Sequence, residues 1–155
     1  KGWFAAAVLP FLTLPRVPPT EFPDTVWLAA ACALASIVGH VFPVWHGFRG
    51  GKGVATLVGA FAGLHAWLLL PMFATWLCIV AISGYVGLAS IAASIAVPIY
   101  LLIRHGMVAT WTAEFWFALA CATLVSFTHR GNVRRMRAGS EPRSSKLWLF
   151  GRGRT

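Results

Sequence analysis

GVATLVGAFAGLHAWLLLPMFATWLCIVAISGYVGLASIAASIAVPIYLLI, running from Gly53 to Ile103, is the stretch that decides the fold. Lys52 stands before it and Arg104 after it, and the 51 residues between carry no Asp, Glu, Lys or Arg. As one helix rising about 1.5 Å per residue it would be roughly 75 Å long, more than twice a hydrocarbon core of about 30 Å. It must fold back, and its length predicts that it does so twice. Composition agrees: of 155 residues, 58% are hydrophobic and 11% charged, with a mean hydropathy of +0.72. Soluble domains run near 45–50% apolar and about 25% charged. The chain is read as an integral membrane protein.

Working outward, further apolar segments flank this stretch, giving Gly2–Leu14, Val26–Val44, Val54–Leu70, Met72–Ile82, Leu88–Ile103 and Met107–Phe127. Turn residues separate them: Pro15 with Pro18, Pro19 and Pro23, then Pro43, Pro71, Ser83-Gly84 and Arg104-His105-Gly106. Trp3, Trp27, Trp45, Trp67 and Trp111 fall near segment ends, as an interfacial belt requires. The fold class read from this pattern is all-α, a polytopic membrane protein with about six transmembrane helices. Residues 1–128 form the membrane-embedded helical domain and residues 129–155 a basic end. Cys32, Cys78 and Cys121 sit alone in apolar segments and are expected to be buried structural thiols. The chain opens at Lys1 with no initiator Met, so the natural protein is expected to begin upstream.

The net charge of +9 is unevenly placed. From His129 onward, eight Lys/Arg face the single Glu141; the rest of the chain has five basic and three acidic residues. A hydrophobic body with a basic end fits a cytoplasmic C-terminus better than a nucleic-acid partner, and none is expected. Counting six crossings backwards puts His129–Glu141, Ser83–Gly87, His46–Gly53 and Lys1 on the cytoplasmic side. Pro15–Thr25, Pro71 and Arg104–Gly106 fall outside, Arg104 alone dissenting from the charge rule.

The chemically richest stretch is Gly39-His-Val-Phe-Pro-Val-Trp-His-Gly-Phe-Arg-Gly-Gly-Lys-Gly-Val-Ala-Thr56. Its clustered glycines let backbone N–H groups line one concavity, the helix expected from Val54 adds a partial positive charge, and Lys52 adds a full one. That combination suits phosphate; the alternative is a flexible basic loop obeying the positive-inside rule. It is not a nucleotide P-loop: Gly47 lies one residue too close to Gly51-Lys52, and Gly53 stands where Ser or Thr would hold magnesium. His129, Asn132 and Arg135, at i, i+3 and i+6, share roughly one face if the last helix continues; a snorkelling basic collar is the competing reading. His65, His105 and Glu114 fall toward the other side, and an intramembrane Glu114 calls for a partner, with Arg104, Thr110 and Thr112 as candidates. No His-x4-Asp pair, Gly-x-Ser-x-Gly elbow or His-Glu-x-x-His is present.

Gly39-His40-Val-Phe-Pro43 with Phe48-Arg-Gly-Gly-Lys-Gly-Val-Ala-Thr56 closely resembles the central signature of the bacterial membrane acyl-phosphate:glycerol-3-phosphate acyltransferases, the PlsY type. Lys1-Gly2, Gly87-Leu-Ala-Ser90 and His129-Arg-x-Asn132-x-x-Arg135…Gly139-Ser-Glu141 continue the likeness in order along the chain. The family's first signature, Ser-Gly-Asn-x-Gly-x-x-Asn, is not in the chain and is expected before Lys1; Ala89-Ser90 stands where the family has paired serines, and Arg49 where Lys is frequent.

The resemblance implies a seven-span fold, of which this chain holds the last six, in the bacterial inner membrane. It implies transfer of an acyl group from acyl phosphate to the 1-hydroxyl of sn-glycerol 3-phosphate, giving lysophosphatidic acid and phosphate. A transient contact with the enzyme that makes the acyl phosphate goes with it. No cofactor or metal is expected, because acyl phosphate is a mixed anhydride already activated for attack. Such a site mainly positions the hydroxyl and stabilises the developing oxyanion and leaving phosphate. The expected catalytic set is Lys52, His129, Asn132 and Ser90. Lys52 and the amides of Gly50, Gly51 and Gly53 would hold phosphate, with His40, Arg49 and Thr56 in the same substrate-binding stretch. Lys1, Arg135 and Glu141 carry over as further substrate-binding residues, and the acyl chain would lie between spans, open to lipid. The base is either a substrate phosphate oxygen or His129. Two other classes compete with this reading: a transporter of a phosphorylated metabolite, and an assembly module packed through Gly59-x-x-x-Gly63.

Overall fold

The computed structural model describes residues 1–8 and 24–149. The second half of the first apolar segment, most of the Pro15–Thr25 loop with Arg16 and Glu21, and Arg152 and Arg154 of the basic end lie outside them. Among the described residues, seven α-helices follow one another: α1 (Gly2–Ala7), α2 (Asp24–Val41), α3 (Val54–His65), α4 (Leu69–Ser83), α5 (Val86–His105), α6 (Ala113–Thr128) and α7 (Arg130–Arg137). The first six are apolar and match the six expected segments in order. By length and composition, Val26–His46 and Val86–Trp111 are each sufficient to cross a bilayer, Val54–Ser83 is a 30-residue apolar run that holds both α3 and α4, and Ala113–Thr128 is a shorter apolar helix. The protein is a multi-pass, all-α membrane protein.

The decisive stretch does reverse twice. His65 leaves the helical region, with φ −152° and ψ 92°, and a short 3-10 turn at Ala66–Leu68 redirects the chain into α4. Pro71 is the third residue of α4, where a missing N–H removes no intrahelical bond. At the other end, Gly84 adopts φ +75° as its N–H closes onto the Val80 carbonyl at 2.8 Å. Only a residue without Cβ takes that left-handed cap readily. Tyr85 N–H then donates to Ser83 Oγ at 3.1 Å, and α5 begins.

These reversals give the bundle two ends. At one, Lys52 touches Asn132 and Gly84 touches Ser144. At the other, His65 meets Glu114, and Arg104 and Tyr100 lie against Trp67. The helices therefore alternate in direction, as the crossing count predicts. Glu114 finds its main partner in His65 at 2.8 Å, with the Thr112 side chain as a weaker second one, rather than in Arg104 or Thr110. The pairing joins residues 49 apart in sequence, so local spacing could not expose it. Thr112 also caps α6, accepting from Phe115 N–H at 3.3 Å.

Small residues let the helices approach where lipid offers no hydrophobic drive. Ala33, Ala60 and Ala118 are fully buried, and Phe61 meets Phe117 edge-on at 5.1 Å. Gly59 and Gly63 seat α1 on α3: a Cβ on Gly59 would lie 3.2 Å from the Trp3 nitrogen, and one on Gly63 3.0 Å from Ala6 Cβ. The Gly-x-x-x-Gly pair thus works inside the chain. Burial of the cysteines is not uniform: Cys121 is buried, Cys32 intermediate and Cys78 exposed on α4. An apolar neighbourhood does not imply burial here, because a lipid-facing surface is as apolar as a core.

Candidate active site

The glycine loop is folded back onto the end of α2. Gly50 N–H donates to the Val41 carbonyl at 3.2 Å, and a Cβ on Gly50 would strike the His40 carbonyl oxygen. A Cβ on Gly51 would stand 2.7 Å from His40 Nε2, so the His40 ring packs directly against the loop. Gly53 caps α3 with φ +79°, and a Cβ there would meet Val41 and Ile37 at 3.0 and 3.3 Å. Gly50's amide is thereby committed to backbone. Among the described residues, those of Gly51 and Gly53 donate to no backbone acceptor.

From this loop Lys52 reaches across the bundle. Its Nζ donates to Asn132 Oδ1 at 2.8 Å, Asn132 Nδ2 donates to Glu141 Oε1 at 2.6 Å, and Arg135 Nε donates to Glu141 Oε2 at 2.6 Å. Four residues from three segments form one polar chain. Burial pushes the Glu141 carboxyl up, but hydrogen bonds from Asn132 and Arg135 and the charges of Arg135 and Lys52 hold it below its ordinary 4.5. It is ionised, as a bidentate partner for two donors must be.

The last span does not run on as a single helix. At His129 (φ −95°, ψ 6°) α6 stops and α7 starts. The i→i−4 bonds nevertheless pass through this junction, from His129 N–H to the Val125 carbonyl at 3.0 Å and from Val133 N–H to the His129 carbonyl at 3.1 Å, so His129 and Asn132 face the same cavity and Arg135 joins them through Glu141. His129 is 3% exposed, and its Nδ1 lies 2.9 Å from the Val125 carbonyl. A carbonyl only accepts, so Nδ1 carries the proton and the neutral ring keeps its lone pair on Nε2. Desolvation, aided by the Lys52 charge, pulls the imidazole below its usual 6.5 against the opposing pull of the Val125 bond and Glu141. The ring is neutral at pH 7.

Gly87, Ser90 and Ser94 line one face of α5 toward the same place. A Cβ on Gly87 would sit 2.9 Å from Asn132 Cβ, so this glycine is what lets α5 close on α7. Ser90 is buried and donates to the Val86 carbonyl at 3.0 Å; Ser94 does the same to Ile91 at 2.8 Å.

These groups surround a cavity of about 940 Å³. Its polar end holds Lys52, Ser90, His129, Asn132, Glu141, Arg143 and Ser144, while Leu57, Met72, Phe73, Trp76 and Leu77 of α3 and α4 line an apolar trough. Phe73 and Leu77 are half exposed midway along α4, so the trough opens at the side of the bundle. Of the residues expected from sequence, Lys52, Ser90, His129, Asn132 and Glu141 line this cavity, with Arg135 one bond behind. His40, Arg49, Gly50, Gly51 and Gly53 lie beside Lys52 but not on its wall; Thr56 is buried against Gly2 of α1, and Lys1 is exposed at that helix's start. Among the described residues, no three His, Cys, Asp or Glu side chains gather as a metal site.

Sequence reading missed the segment that closes the polar end. Ser144 N–H donates to the Gly84 carbonyl at 2.8 Å, and the Arg143 guanidinium lies over Tyr85 at 4.9 Å and Trp148 at 4.4 Å. The available signal was Arg143 two residues beyond Glu141, with Trp148 close behind.

A family model described as glycerol-3-phosphate acyltransferase matches residues 1–139. A glycerol-3-phosphate acyltransferase of Thioalkalivibrio sulfidiphilus is 43% identical over 123 residues, covering 77% of this chain and 57% of its own. One from Bordetella petrii is 39% identical over 147 residues, covering 92% and 64%. Two crystal structures of the integral membrane glycerol 3-phosphate acyltransferase PlsY are similar. The lysophosphatidic acid form has TM-score 0.69 at 35% identity over 80% of this chain and 61% of that one. The glycerol 3-phosphate form has TM-score 0.67 at 36% identity over 76% and 56%. The chain thus spans 57% and 64% of the length of these two relatives, and on the match along nearly its whole extent it belongs to the glycerol-3-phosphate acyltransferase family.

Proposed function

We propose that the protein transfers a fatty acyl group from acyl phosphate to the 1-hydroxyl of sn-glycerol 3-phosphate, releasing lysophosphatidic acid and phosphate. The observation that carries this reading is one cavity joining a cationic, hydrogen-bonded end to an apolar trough open at the side of the bundle. One substrate is soluble and doubly polar, the other an amphiphile, and the two halves suit them in turn. Family membership, with a solved relative in glycerol 3-phosphate and lysophosphatidic acid forms, supports the same assignment.

On this reading Lys52, with the amides of Gly51 and Gly53 behind it, holds the phosphate of the donor. Asn132 fixes the Lys52 ammonium, and Glu141 fixes Asn132, so the cation is oriented before substrate arrives. Ser90, Asn132 and His129 orient glycerol 3-phosphate. The hydroxyl attacks the acyl carbonyl, the carbonyl–phosphate bond breaks, and its electron pair leaves on phosphate. The hydroxyl proton passes to His129 Nε2 or to a phosphate oxygen; a neutral His129 with Nε2 unprotonated is in the state a base requires. The polar end, and with it the C-terminal segment, lies on the cytoplasmic side of the bacterial inner membrane, following the excess of Lys and Arg there. That side is also where a transient encounter with the acyl-phosphate-forming enzyme would take place.

The test is purified full-length protein given palmitoyl phosphate. Phosphate release that depends on added glycerol 3-phosphate, matched by lysophosphatidic acid, is expected; release without the acceptor, or none with it, would refute the assignment.

A further inference from the structure

The side of α7 turned away from the cavity carries its own site. Arg130 and Arg134 lie two residues before and two after Asn132, so at 100° per residue both stand on the opposite side of the helix from it. With Thr128 and Gly131 they line a notch of about 580 Å³. Arg130 is held in place: its guanidinium lies 4.0 Å from the centre of the Phe127 ring and donates to the Phe127 carbonyl at 2.9 Å. Gly131 leaves the floor open, since a Cβ there would meet nothing closer than Arg135 at 3.7 Å.

Phe127 also ends a second feature. Among the described residues, an apolar groove of about 660 Å³ runs between α2 and α6, walled by Leu34 and Val38 on one side and Trp116 and Leu124 on the other, and closed at the top by Phe42 and Phe127. Those two rings sit 6.4 Å apart. Apolar groove and arginine notch therefore follow one another along the same edge, and none of the residues lining either is acidic.

A soluble anion would use the notch alone. A neutral lipid would use the groove alone. We propose that the combined surface binds an anionic glycerophospholipid, with its phosphate against Arg130 and Arg134 and an acyl chain along α2 and α6. The site is separate from the catalytic cavity and does not depend on the acyl-transfer reading.

The test is native mass spectrometry of full-length protein titrated with phosphatidylglycerol and with phosphatidylcholine of the same chains. A cation at the membrane surface is worth about fivefold in affinity, so wild type should prefer phosphatidylglycerol by about 10- to 25-fold. R130Q/R134Q should bring that preference within about twofold, and R134Q alone should remove about fivefold of it, which keeps the test open if the double variant folds poorly. Glycerol 3-phosphate-dependent phosphate release should be unaltered in both. Wild type that binds the two lipids equally, variants that keep the preference, or inorganic phosphate that displaces the lipid at equal concentration would each overturn the proposal.

Discussion

Replacing Gly87 with Ala tests the candidate site at its tightest contact. The new Cβ would lie 2.9 Å from Asn132 Cβ and 3.0 Å from its Cγ and Nδ2, against 3.4 Å for ordinary contact. Asn132 must retreat by about half an ångström, and it is tied on both sides by bonds of 2.8 and 2.6 Å to Lys52 and Glu141. Stretching a charge-assisted bond by that amount forfeits much of a contribution of about 1.5–3 kcal/mol. Misplacement on this scale lowers turnover by roughly 10- to 100-fold. Stability should fall by only about 1–3 kcal/mol, the usual effect of one extra methyl in a packed interior. The assay is acceptor-dependent phosphate release, with thermal unfolding in detergent alongside. Gly39 supplies the control: it lies in α2, and a methyl added there would have nothing within 4 Å, so G39A should leave turnover unchanged and stability equal or higher by about 0.5–1 kcal/mol. G87A turnover within twofold of wild type would refute the claim that the Asn132 position matters.

Three further outcomes are expected. K52A should lower acyl transfer by roughly 10- to 150-fold, the kinetic equivalent of one lost charge-assisted contact; near wild-type turnover would remove Lys52 from the mechanism. The His129 imidazole should titrate below 6.5 by NMR, and because its folded value is depressed, its share of stability is complete above 6.5 and declines as pH falls through the folded value. K52M should raise that midpoint and E141Q lower it further, following the signs of the two neighbouring charges. G59L should lower thermal stability by about 1–3 kcal/mol, because the side chain would push Trp3 and α1 off α3.

Much of the fold was legible because charge is so costly in a bilayer: an uncharged stretch from Gly53 to Ile103 leaves few arrangements, and Pro71 and Ser83-Gly84 mark where it turns. Which polar residues would line the cavity was also legible, since Lys52, His129 and Asn132 are polar groups at the edges of apolar segments. Their meeting was not. Lys52 and Asn132 are 80 residues apart, and no periodicity encodes a contact between separate helices. The same holds for His65 with Glu114. The helix break at His129 was hidden because Gly131 stands two residues past it; a buried imidazole bonded back to Val125 occupies the junction itself. Arg143 went unnoticed among many basic residues, and only the rings of Tyr85 and Trp148 distinguish it. Cys78 shows the converse: apolar context reads alike for core and for lipid, so exposure within the membrane is invisible to composition.

The hairpin of α3 and α4 has a consequence for traffic. Because both arms return to one end of the bundle and the trough between them opens sideways, an amphiphile in the facing leaflet could slip in tail-first along its own plane. Its headgroup would stay at the water boundary throughout. On the proposed acyl-transfer reading, product would depart through the same slit, with the leaflet itself acting as both store and sink.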